Sequence, residues 1–293
     1  MKRWSVILTV LSGLTAVVLT GTGHDGLKRA FIHLDQAETY IKRGADETAF
    51  TLLEMVMREA PGTYPDFRSR QLMIQRLVAW KDGNPPTEEQ IDRASEIVHE
   101  ALGAGLLTKL QCLKLGAWEF VVPLCRKKIS CGRALEEAEA LMDILDGGPP
   151  AEGELGEAIA GFYYLLGVKY PAFNRYDDTV WAYEQAITRY WDTLAGTAAH
   201  MRLGSYYSYI GDFEKAEEHF RSPLDGRQVK TYWEAHYYLG DFLVKQKRYA
   251  EALEYLDPFL EERPSMWEQF FKLAERLQAQ ALQGIERDRE EGD

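Results

Sequence analysis

The chain has 293 residues and a mass of 33.5 kDa, with 46% hydrophobic and 27% charged residues, which excludes wholesale disorder. Lys and Arg number 34 against 46 Asp and Glu, a net charge of -12, whereas a binder of phosphate backbones carries the opposite balance; nucleic acid is excluded as a general partner. The three cysteines, Cys112, Cys125 and Cys131, form no CxxC or CxxCH pattern, so a zinc ribbon and a c-type haem are ruled out.

Lys2 and Arg3 precede an uncharged stretch from Trp4 to Gly23, most apolar between Val6 and Leu19. A basic start followed by an apolar run is the layout of an export signal or of a short membrane span. Residues 1–24 are therefore expected to be a signal peptide or single-pass anchor, meeting the membrane through residues 4–22. The basic pair holds the N-terminus in the cytoplasm, so the rest of the chain is expected on the periplasmic or extracytoplasmic side, either anchored or released after cleavage near Gly23.

From Leu27 onward, amphipathic stretches alternate with short Gly, Pro and Asp breaks, and no strand pattern interrupts them. The breaks fall at Gly44, Pro61 to Pro65, Gly83 to Pro86, Gly103 to Gly105, Gly147 to Pro150, Pro171, Gly211, Pro223 to Gly226 and Pro264. They predict six helical hairpins over 27–60, 66–103, 105–146, 152–191, 195–223 and 229–262, then a last helix over 266–286 and a charged tail over 287–293. Residues 27–151 are expected to hold irregular hairpins and residues 152–286 regular ones with a capping helix.

The regular part repeats. Leu203-Gly204 is followed by Tyr207, Ala216 and Phe220, and Leu239-Gly240 by Leu243, Ala252, Leu256 and Pro264; Gly204 to Gly240 and Ala216 to Ala252 are both 36 residues apart. These residues resemble the tetratricopeptide repeat family, whose helix-turn-helix unit sets small residues where two helices cross and large ones between successive hairpins. The first hairpin looks similar, with Ala37, Tyr40, Gly44, Ala49, Leu53 and Pro61 at matching places. In the fourth, Leu166-Gly167 precedes Ala182 by a longer interval, which implies a three-residue insertion around Pro171 to Asn174. The second and third carry fragments only, such as Ala94 with Val98 and Ala138 with Met142.

The resemblance implies an all-α, right-handed α-α superhelix with a concave groove for another polypeptide, and interaction in place of catalysis. Its inner wall would include Met201, Ser205, Ser208 and Tyr209, then Glu234, Tyr237, Asp241, Val244 and Lys245; Tyr209, Glu234, Tyr237, Asp241 and Lys245 are the groove candidates. One subtype of the family grips chaperone tails with Lys and Asn on this wall. Here Met201, Ser205, Tyr237 and Asp241 stand at those positions, so that activity is not implied. The acidity of the chain favours basic or neutral partner segments.

Other chemistry is thinly marked. The pairs Tyr163-Tyr164, Tyr206-Tyr207 and Tyr237-Tyr238 read as packing residues. No two of the six histidines are three or four residues apart, so no helix offers a two-histidine metal face; His33, His200 and His236 share one repeat position and read as packing residues with a polar edge. Cys125 and Cys131 flank a connection, as a disulfide in an exported chain or as two buried thiols. The sequence holds no GxSxG, HExxH, Walker or dinucleotide-binding loop, and neither cofactor nor catalytic set is expected. The expected function is a scaffold or accessory subunit of a membrane-associated envelope assembly, with a released adaptor or an enzyme's regulatory domain as alternatives.

Overall fold

The computed structural model describes residues 21–81, 83–126, 131–225, 229–263 and 268–292. Among them the chain is helical throughout, with no strand beyond an isolated bridge between Lys81 and Asn84, so the fold is all-α as the periodicity requires. Of the expected signal or anchor over residues 1–24, residues 1–20 lie outside the described residues. Gly21 opens a helix, ahead of the expected start at Leu27, and no described helix is long and apolar enough to cross a membrane. The chain divides into two compact units, Met1–Arg126 and Lys127–Asp293, so the Gly147 to Pro150 break lies inside the second.

The first unit contains α1 (Gly21–Lys42), α2 (Asp46–Glu59), α3 (Tyr64–Leu77) and α4 (Glu88–Gly103). Then comes a helical run made of α5 (Lys109–Leu113), a π-helix (Lys114–Val121) and α6 (Val122–Arg126). Thr87 and Thr108 start α4 and the run with reciprocal capping boxes to Gln90 and Gln111. The second unit contains α7 (Cys131–Asp146), α8 (Gly153–Lys169), α9 (Tyr176–Arg189), α10 (Leu194–Ile210), α11 (Phe213–Arg221), α12 (Val229–Lys245), α13 (Tyr249–Glu262) and α14 (Glu268–Gly292). The hairpin expected over 105–146 is thus not one element pair, since its halves belong to different units.

Four hairpins, α1/α2, α8/α9, α10/α11 and α12/α13, turn in the same way. Gly44, Asn174, Gly211 and Lys247 each adopt a left-handed φ, of 76°, 59°, 87° and 59°. The next residue's N–H reaches back five residues in every case: Ala45 to Tyr40 (3.0 Å), Arg175 to Tyr170 (3.2 Å), Asp212 to Tyr207 (2.9 Å) and Arg248 to Leu243 (2.9 Å). This left-handed stop satisfies carbonyls that the end of the first helix would leave unpaired.

The crossing of the two helices repeats as well. A Cβ built on Gly167, Gly204 or Gly240 would lie 2.6 Å from Tyr183, Phe220 or Leu256, so only glycine allows this approach. In the first hairpin Ala37 and Leu53 hold the same spacing, and both are fully buried. The second small position is taken by Ala49, Ala216 and Ala252 and, in the fourth hairpin, by the buried Thr179. The three-residue insertion expected there is absent: Gly167 keeps the same interval to its turn and to Tyr183, and Thr179 stands where alanine was sought.

α3 and α4 depart from this pattern. Thr63 and Thr193 make matching bonds at the starts of α3 and α10, to the carbonyls of Ala60 (2.5 Å) and Tyr190 (2.7 Å). At equal distance beyond them stand Ile74 and Gly204, and the buried Ile74 leaves no room for a close crossing. A connection containing Pro85 and Pro86 separates α3 from α4. In the second unit Asp146, at the end of α7, accepts bonds from Tyr163 Oη (3.0 Å), Tyr190 Oη and Arg189 Nε and Nη2 (2.9 Å each), which ties α7 to α8 and α9. α14 closes this unit by burying Phe271, Ala274 and Ala281 and seating Gly284 against the Tyr249 ring.

Candidate functional site

In the second unit the first helices α8, α10 and α12 pack side by side, with α14 next to α12. Their uncovered surfaces form one face. On α10 the exposed residues Arg202, Ser205 and Tyr209 recur at three and four residues, a single stripe of the helix. Tyr209 is 89% exposed, the most open large side chain on this face.

Arg202 stands between two tyrosines. Its Nε donates to Tyr164 Oη on α8 at 2.8 Å, and its guanidinium lies 5.8 Å from the centre of that ring. Tyr238 on α12 is close enough to feel the Arg202 charge and is itself stacked on Phe220 at 6.3 Å. Burial disfavours the charged guanidinium, but the Tyr164 hydrogen bond and the surrounding phenols outweigh it and raise the Arg202 pKa. No carboxylate pairs with Arg202 among the described residues, whereas Arg175, Arg189, Arg221 and Arg248 each hold one. Arg202 is the one Lys, Arg, Asp or Glu of α10, a signal present in the sequence and passed over in favour of the repeat residues.

The groove candidates divide. Tyr209 and Lys245 are exposed, and Lys245 Nζ pairs with Asp241 at 2.5 Å on the same helix. Glu234 and Asp241 are half-buried on α12 and, after burial, help to raise the Tyr238 pKa. Tyr237 is committed to packing: its ring lies 4.8 Å from Phe270 on α14 and 6.1 Å from Phe259. Met201 and Val244 are each 2% exposed and belong to the core, so neither lines the wall expected of them.

The repeat residues Leu203, Gly204, Ala216, Phe220, Leu239, Gly240 and Ala252 are buried, Tyr207 is half-buried, and Pro264 lies outside the described residues. The three histidines at one repeat position have different partners. His33 meets Glu59 at 3.1 Å, His200 meets His219 at 3.0 Å, and His236 meets the Tyr232 carbonyl at 3.0 Å. Cys112 and Cys125 are buried in the first unit, and burial raises the Cys112 thiol pKa. The side chain of Cys131 lies outside the described residues, and the Cys125–Cys131 pairing with it. Among the described residues no three His, Cys, Asp or Glu side chains are grouped to hold a metal. The arrangement sets the Arg202 cation among the phenols of Tyr164, Tyr183 and Tyr238, with Glu234 and Asp241 acting on Tyr238. Compared with models of known protein families and with curated proteins, the chain matches none.

Proposed function

We propose that this chain is a tetratricopeptide-like solenoid whose first-helix face takes an extended segment of another protein, without catalysis of its own. Four hairpins with one turn geometry and small-against-large crossings support the repeat reading. The observation that carries the binding reading is Arg202: a guanidinium without a carboxylate among the described residues, framed by tyrosines on an exposed stripe, in a chain of net charge -12. Such a side chain suits a neutral or basic segment that brings one acidic residue to Arg202 and apolar groups to Tyr164 and Tyr209. The apolar run over residues 4–20, behind Lys2 and Arg3, would hold the face at a membrane or carry it across as an accessory subunit of an envelope assembly.

Purification of the full chain from its native membrane after crosslinking tests the binding reading. A partner retained by the wild type and by Glu254→Ala, but lost from Arg202→Glu, is the expected result. Equal recovery with all three would place the contact elsewhere. Fusion of residues 1–30 to an enzyme active only in the periplasm tests the address: activity is expected, and a silent cytoplasmic fusion would exclude it.

A further inference from the structure

The fifth hairpin holds a contact that the binding reading does not use. His200 on α10 and His219 on α11 face each other with Nδ1 to Nδ1 at 3.0 Å, and their ring centres are 5.2 Å apart. His219 is fixed by a parallel stack on Tyr207 at 5.4 Å with an interplanar angle of 2°. The corresponding His33 and His236 meet a carboxylate and a backbone carbonyl, so neither faces a second imidazole across its contact.

Proton placement determines this contact. A neutral imidazole has one N–H, so one ring must donate from Nδ1 and the other must accept there. A first added proton preserves the bond, as N–H⁺ against a lone pair. A second leaves two N–H groups, and two positive charges, pointing at each other. Of the facing groups, Lys215 on α11 adds to the repulsion and Glu218 opposes it, while Glu184 from α9 and Asp212 act on Lys215 and Tyr207. We propose that His200 and His219 form an acid-sensitive latch between α10 and α11, closed near neutrality and released when both imidazoles are charged, which frees the hairpin that presents Arg202, Ser205 and Tyr209.

Burial lowers the His219 pKa, and so the open hairpin binds more protons than the closed one. The latch is then fully stabilising above the usual imidazole range and is lost as pH falls through the lowered value. Hydrogen exchange of the full chain between pH 7.5 and 5, corrected for intrinsic rates, reads this directly. Opening of α10 and α11 should rise by up to about tenfold per pH unit for each proton taken up, with α8 and α9 as the unaffected reference. His219→Phe, which keeps the stack on Tyr207, should flatten that rise. The same acid response in the variant, or none in the wild type, overturns the latch. If the variant does not fold, histidine NMR of the wild type decides: two coupled steps for His200 and His219 are expected, and two independent titrations near the usual value refute it.

Discussion

Glycine at a helix crossing and glycine on an open helix surface should respond in opposite directions to one methyl group. Gly204 has no room for a Cβ beside Phe220, so Gly204→Ala is expected to cost about 1–3 kcal/mol through overpacking. Gly161, inside α8 with nothing within 4 Å of a built Cβ, should gain about 0.5–1 kcal/mol on change to alanine. Urea denaturation of both variants checks the pair. The buried carboxylate of Asp146 is the other sharp position. Its four donor contacts come from three residues, and its side chain is 2% exposed. Because the Arg189 side chain is 27% exposed and can turn to water, Asp146→Ala is expected to cost about 2–3 kcal/mol, less than a fully buried pair would. At this scale Gly204 and Gly240 were legible because their spacing recurs. Thr179 was not, because a buried threonine fills an alanine's place and moved the apparent register by three residues. Met201 and Val244 were misplaced because repeat position alone does not say which side of a residue the neighbouring helix covers.

The shared turn is the device at the scale of elements. Gly44 and Gly211 announce it, whereas Asn174 and Lys247 adopt the same left-handed conformation without glycine. Lys247→Gly should therefore stabilise α12/α13 by up to about 1 kcal/mol, and Gly211→Ala should destabilise α10/α11 by about 1–2 kcal/mol. Thermal denaturation of the two variants measures both shifts. The breaks at Gly44, Pro171 and Gly211 marked three of these turns, whereas none marked the turn at Lys247, whose hairpin was bounded only by Pro223 to Gly226 and by Pro264. They failed over 105–146, where a helical run from Lys109 to Arg126 passes through a π-helix with no Gly or Pro pair to mark its end. The exposed side of the first helices was legible only in part. Tyr209 shows as an aromatic at a surface position, whereas Tyr237 carries the same pattern and is covered by Phe270 of α14.

Over the whole molecule, acidification acts in one direction on the groups that matter most. His219 and His236 have lowered pKa values, caused first by burial, so their contribution is intact above the usual imidazole range and is lost as they gain protons. Glu217 is held low by hydrogen bonds from Arg248 and Arg221; for Asp46, burial works to raise the value but bonds from Lys81 and Arg76 outweigh it. Both carboxylates stabilise above their ordinary range and lose that contribution as pH falls below it. Relief of the net charge of -12 works the other way, but it acts between charges screened over about 8 Å, while these pairs are in contact. The melting temperature is expected to fall as the pH is lowered from 7.5 to about 2.5, first through the imidazole range and again through and below the ordinary carboxylate range; a flat profile would contradict these assignments. The claim on which the account rests is that the open side of the first helices is where another polypeptide lies. A photo-crosslinking residue placed at Ser205, and separately at the exposed Glu254 of α13, in the full chain in its source cells measures this most directly. A discrete adduct with one polypeptide from position 205 and none from 254 is predicted; adducts from 254 alone, or from neither, would contradict it.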